Sequence, residues 1–162
     1  MFLTEVYAET GSYGVCPRFD AVAIGLVPST GVAYGRVIYE VKVSRSDWLR
    51  ELRPVTVAKY NGKRQHAVRR RVRPEDLQSV GYEVEVAPKW SAALRLGTEF
   101  WVAAPAGVIK PGECPEGVGQ LEVRPWGGGQ RAFVVQRAAK LENPDPGQAF
   151  WAAVLREAAR RV

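Results

Sequence analysis

At 162 residues, 46% apolar and 25% charged, the chain has the length and balance of one ordinary globular domain. Near this length a fold buries roughly 70% of its unfolded surface, so a sizeable core is within reach. Twenty-three Lys and Arg against 17 Asp and Glu, net +6, favour an anionic partner without naming it.

A single histidine, His66, and two cysteines far apart, Cys16 and Cys114, argue against multi-histidine zinc enzymes, a zinc knuckle and a disulfide framework. Both cysteines read as reduced thiols, and any catalysis must rest on carboxylates, Lys and Arg. The longest uncharged stretch, Ala21 to Gly35, is broken by Pro28 and Gly31 and falls short of the ~20 apolar residues of a membrane helix. The first residues lack the basic-then-apolar order of a secretory signal. No membrane partner and a cytoplasmic location are therefore expected.

Phe2 to Ala8 reads as a strand containing Glu5, closed by a loop over Gly11 to Gly14. Arg18 to Val27 is apolar at alternate positions of both parities, the pattern of a strand covered on both sides; its one charge past Arg18 is Asp20. After a turn at Pro28 to Gly31, Gly35 to Val43 forms a strand that places Ile38, Glu40 and Lys42 on one face. Ser44, Arg45, Ser46 and Asp47 then carry helix-start chemistry for a helix through Trp48 to Leu52.

Between Arg53 and Arg73 stand eight basic residues and no acid, so the excess charge belongs to one segment. A basic insertion over about residues 53–87, protruding as a hairpin or partly flexible, is expected. Pro88 to Leu96 suits a short helix ended by Gly97, and Glu99 to Ala104 a buried strand. A Pro- and Gly-rich loop to Gly119 leads into a hairpin of Gln120 to Arg124 and Arg131 to Gln136. The triple glycine at its tip lacks the Lys-Ser/Thr of a phosphate loop and reads as a turn. A C-terminal amphipathic helix presents Phe150, Trp151, Val154, Leu155, Ala158 and Val162 for packing on the sheet.

The chemistry gathers around Asp20, Glu40 and Lys42. Antiparallel pairing of the second and third strands would bring Asp20 beside Glu40 and Lys42. Two carboxylates on one face suit a hard divalent cation such as Mg²⁺. Lys42 would orient or help deprotonate an attacking water, or neutralise charge on a phosphate. The alternative is a plain ion pair on a strand face, although a charged pair in an apolar strand needs compensation.

Phe19-Asp20-Ala21-Val22, Tyr39-Glu40-Val41-Lys42-Val43-Ser44-Arg45-Ser46-Asp47-Trp48, Lys89-Trp90, Phe100 to Pro105 and Gly117 to Val123 resemble, in order, the blocks of the PD-(D/E)XK nuclease superfamily, nearest its MmcB-like branch associated with DNA repair. The resemblance spans about residues 1–125. It implies a restriction-endonuclease-like α/β fold, a central mixed sheet flanked by helices, as a single domain over residues 1–162. It makes Asp20 and Glu40 the metal-binding acids with the Val41 carbonyl as a further ligand, Lys42 the catalytic lysine and Glu5 the upstream acid. Ser44 and Asp47 begin the helix behind the site, and Lys89 and Trp90 approach the substrate. With only four residues ahead of Glu5, the helix that commonly precedes the first strand in the superfamily is expected to be absent or replaced, the C-terminal helix being one candidate to replace it.

The function so implied is Mg²⁺- or Mn²⁺-dependent hydrolysis of DNA phosphodiester bonds, leaving 5′-phosphates, in DNA repair or processing; alanine at Asp20 or Lys42 should then abolish cleavage with the fold intact. DNA is preferred to RNA as the partner, and a homodimer fits nucleases of this size. Lys59, Lys63, Arg64, Arg69, Arg70, Arg71, Arg73 and Lys89 are the candidate phosphate contacts; the alternative for that run is a solvated charged loop. Tyr60 and Trp90 read as packing residues ahead of base-stacking ones, and Trp48, Trp101, Trp126 and Trp151 as core or interface aromatics. The rival functions are a catalytically inactive nuclease-fold nucleic-acid-binding protein and a small protein-interaction subunit.

Overall fold

A computed structural model describes residues 1–7, 18–26, 28–29, 33–60, 64–67, 74–79, 81–88, 90–142 and 146–160. Its order is β1 (Phe2–Tyr7), β2 (Arg18–Leu26), β3 (Ala33–Val41), α1 (Arg45–Leu52), β4 (Pro54–Tyr60), β5 (Arg64–Ala67), α2 (Pro74–Ser79), β6 (Tyr82–Pro88), α3 (Trp90–Leu96), β7 (Glu99–Pro105), β8 (Gly119–Trp126), β9 (Gly129–Gln136) and α4 (Gly147–Ala159).

The architecture is α/β, built on a six-stranded mixed sheet in the order β1-β2-β3-β7-β8-β9. β1, β2 and β3 form an antiparallel meander, β3, β7 and β8 run parallel, and β9 returns antiparallel. The parallel step from β7 to β8 needs a crossover of about a dozen residues. Residues 106–118 supply it as a chain of turns, tucking Ile109, Cys114 and Val118 into the core.

Cross-strand partners share a sheet face, and the register links Leu3, Val22, Ile38 and Phe100 into one buried row. Trp48 of α1, Ala93 of α3, and Phe150 and Val154 of α4 join the same core cluster. Burying each large side chain contributes about 1.5–3 kcal/mol. α4 packs against β1, so the C-terminal helix lies on the sheet as expected. Arg36 ties these pieces to β3: its Nε donates to the Leu96 carbonyl at 2.9 Å and its guanidinium lies 5.8 Å from the Trp151 ring centre.

Three expectations are corrected. The described part of the basic insertion is more than a hairpin: β4, β5 and β6 make a second, antiparallel sheet in the order β5-β4-β6, accompanied by α2. The apolar positions Val55, Val57, Val84 and Val86 alternate through that segment, a strand signal that the run of charge obscured. Leu155 does not pack on the sheet but is 68% exposed, because it sits about 100° around the helix from buried Val154. Of the two roles expected for Trp126, core or interface, the first falls, since 60% of its surface is exposed, whereas Trp48 is fully buried.

Candidate metal and phosphate site

One residue pair beyond the buried row, the sheet face changes character. The backbone register of β2 and β3 runs to Ala21 opposite Tyr39, and at the next level side chains take over the hydrogen bonds. The Asp20 amide donates to Glu40 Oε2 at 3.2 Å, and the Val41 amide donates to Asp20 Oδ2 at 2.7 Å. Two carboxylates therefore occupy the fork where the strands part, at the start of β2 and the end of β3. The antiparallel pairing expected from the sequence does bring Asp20 beside Glu40.

The Val41 carbonyl belongs to the same fork. The Lys42 amide donates across to the Ala103 carbonyl of β7 at 2.9 Å, and the described peptides contain no cis bond. A trans peptide directs the preceding carbonyl the opposite way, so the Val41 oxygen faces the β2 side, where Asp20 lies. Glu5 falls at this level too, between Thr4 opposite Ala21 and Val6 opposite Phe19; its backbone position is opposite Asp20.

Lys42, just past the end of β3, reaches two carboxylates: Nζ lies 2.7 Å from Glu51 Oε2 and 3.3 Å from Glu40 Oε1. Lys42 and Glu51 are 5% and 4% exposed, so this is a buried ion pair. Glu51 is the site residue that the sequence reading missed. It stands three positions after the buried Trp48 on α1, hence on the same helix face, and an acid on an apolar helix face nine residues after a buried lysine is the signal that could have found it. The pairing also bears on alanine at Lys42, which would remove one partner of a buried carboxylate and so cost stability as well as chemistry.

The helix that carries Glu51 is anchored at its start. Ser44 caps α1, its hydroxyl accepting from the Asp47 amide at 3.2 Å, and Asp47 pairs with Arg50 at 2.6 Å. These two residues position the helix, as expected, and touch neither Asp20 nor Glu40. Arg45 binds Glu113 through both guanidinium nitrogens and the Val108 carbonyl at 3.1 Å, fastening α1 to the β7–β8 crossover.

The electrostatics describe a half-buried cluster of carboxylates around one ammonium. Burial pushes the Glu40 carboxyl up to about 7; the Lys42 ammonium opposes that rise, while the Asp20 and Glu51 carboxylates and a hydrogen bond with Asp20 add to it. Burial also works against the Lys42 ammonium, but the Glu51 hydrogen bond and the charges of Glu40, Glu51 and Asp47 outweigh it and hold its pKa above the ordinary lysine value.

The donor set fits a divalent cation of the Mg²⁺ class, which takes one or two carboxylates and keeps waters and phosphate for its other positions. Among the described residues no cluster of three or more His, Cys, Asp or Glu forms a closed metal cage, so an ion held here would depend on water and ligand oxygens.

The remaining candidates are spread more widely. Lys59 lies in β4 with Glu83 opposite it in register, and Arg64 lies in β5. Lys63, Arg69, Arg70, Arg71, Arg73 and Lys89 lie outside the described residues, as does Cys16. Trp90 packs against the core. Cys114 is a buried free thiol, its pKa pushed up to about 11 by burial. No helix among the described residues is long and apolar enough to cross a membrane.

No protein-family model matches the chain, and no curated protein or solved structure matches it.

Proposed function

We propose that the protein is a metal-dependent phosphodiesterase that cuts DNA on a restriction-endonuclease-like scaffold. The observation that carries this reading is the convergence of Asp20, Glu40 and Lys42 at the fork between β2 and β3, with the Val41 carbonyl turned to the same side.

Asp20, Glu40 and the Val41 carbonyl would hold Mg²⁺ or Mn²⁺, with Glu5 level with them. A bound ion of this class acidifies a coordinated water and offsets charge on a phosphate oxygen. Lys42, kept charged by two carboxylates, donates hydrogen bonds to the attacking water or the phosphate and does not act as the base. Glu51 holds that ammonium in place. The net charge of +6 draws a polyanion toward an otherwise acidic site.

The test uses Asp20→Asn and Glu40→Gln, whose amide oxygens can still accept from the Val41 and Asp20 amides and so spare the fold. Wild-type protein with Mn²⁺ should cleave short DNA strands, and each variant should lose that activity at unchanged thermal stability. Metal-independent DNA binding without cleavage by the wild type would refute the enzyme and leave an inactive nuclease-fold binding protein.

A further inference from the structure

The hairpin of β8 and β9 carries a feature that the site does not use. Its two-residue loop, Gly127 and Gly128, adopts positive φ at both positions (55° and 84°), the geometry of the tightest hairpin turns. Register sets Trp126 opposite Gly129, Arg124 opposite Arg131 and Glu122 opposite Phe133, so these side chains share one face.

On that face Arg131 lies 5.4 Å from the Trp126 ring centre and 5.5 Å from that of Phe133. Arg124 stands 5.4 Å from Phe133, and the two rings meet edge-on at 5.8 Å. The result is an alternating stack of guanidinium and aromatic planes. Like charges directly opposite one another on paired strands are destabilising, yet Arg124 faces Arg131. Glu122 pairs with Arg124, while Arg131 has no carboxylate partner among the described residues. A Trp 60% exposed, beside an uncompensated guanidinium on a projecting ribbon, contributes nothing to the core.

Register also locates this stack relative to the site. Val41, Ala103 and Leu121 are level across β3, β7 and β8. From Leu121 the strand continues five residues to Trp126, about 17 Å further along and about 10 Å to the side of β3 at ordinary strand spacings. Glu40, Val102 and Gln120 share a face, and alternation from Gln120 puts Glu122, Arg124 and Trp126 on that same face. The stack therefore stands beyond the strand ends that carry Glu40 and Lys42, on their side of the sheet, about 20 Å away, a span that a few nucleotides of a flexible strand cover.

We propose that this hairpin face is a docking surface for unpaired DNA, with exposed bases stacking on Trp126 and Phe133 and the backbone phosphates meeting Arg124 and Arg131. Aromatic platforms interleaved with arginine bind single strands because every base has a face to stack, and a duplex conceals those faces. The inference rests on the nuclease reading and specifies its substrate: DNA with a single-stranded stretch.

Binding of a fluorescein-labelled single strand and of the matching duplex, read by anisotropy without metal, tests it on wild type, Trp126→Ala/Arg131→Ala and Trp126→Phe. The double variant should lose single-strand affinity by roughly five- to thirtyfold and duplex affinity by far less. Trp126→Phe should retain most of the affinity, and Mn²⁺ binding and thermal stability should stay unchanged throughout. Equal single-strand affinity in wild type and double variant overturns the proposal, and if wild type still cleaves DNA the nuclease reading survives that failure. Hairpin-dependent binding with no cleavage supports the proposal and sinks the nuclease alone. A wild type that binds no DNA overturns the proposal, and the nuclease reading falls with it only if the same protein also fails to cleave DNA with Mn²⁺. Self-association lost in the double variant with DNA affinity unaltered also overturns the proposal, assigning the face to a second copy of the chain.

Discussion

Replacing Glu51 by leucine removes a carboxylate that holds the Lys42 ammonium, 2.7 Å away in a region where both residues are about 5% exposed or less. The lysine is then left buried with Glu40 alone, 3.3 Å off. Breaking a buried pair by deleting one partner costs about 3–5 kcal/mol, whereas replacing both partners with apolar groups is often close to neutral. Glu51→Leu and Lys42→Met should each destabilise by about 3–5 kcal/mol, a large part of the 5–15 kcal/mol that holds an ordinary domain together. The double variant should recover at least about 2 kcal/mol of their sum. Urea unfolding at constant m value measures all three. A cost below about 1 kcal/mol for Glu51→Leu, or strict additivity in the double variant, would refute the reasoning.

Because the Glu40 carboxyl is pushed from 4.5 up to about 7, the folded state binds the extra proton between those values, and this group's contribution to stability falls as pH rises through that window. A cation needs the carboxylate form, so Mn²⁺ affinity measured by calorimetry should rise with pH up to about 7 and then level; an affinity flat across that range contradicts the assignment of Glu40. Gly119→Ala would drive its Cβ into the Trp101 ring and should cost about 1–3 kcal/mol, read as a lowered melting temperature; an unchanged one would mean that Trp101 moves freely. Ser44→Ala deletes the acceptor for the Asp47 amide and should cost about 1 kcal/mol in the same measurement, with Ser44→Asn restoring most of it.

Much of the framework was legible because it depends on neighbours in the chain. Alternation in β2 and β3 announced the strands, Ser44 the start of α1, and the glycines at 127–129 the hairpin. Strand polarity and spacing alone were enough to bring Asp20 to Glu40. The second sheet was harder to read because the basic run masked its alternating valines, and Leu155 was misassigned because a broad apolar stripe does not reveal which side of it meets the sheet.

Glu51 and the hairpin stack depended on geometry that no local pattern carries. An acid on a helix face looks solvated until a buried ammonium from another element is seen beside it, and Trp126 looks like core until its strand is found projecting beyond the sheet. The sequence by itself determined the elements, the turn residues and two of the carboxylates, since these follow from repeats of two and 3.6 residues and from backbone preferences acting over a few bonds. Only the tertiary structure decided that Lys42 is shared between Glu40 and Glu51, and that the guanidinium–aromatic stack lies on the site's own face of the sheet. Both follow from the strand order β3-β7-β8 and the docking of α1, which bring together residues distant in the chain through packing that the local sequence does not encode.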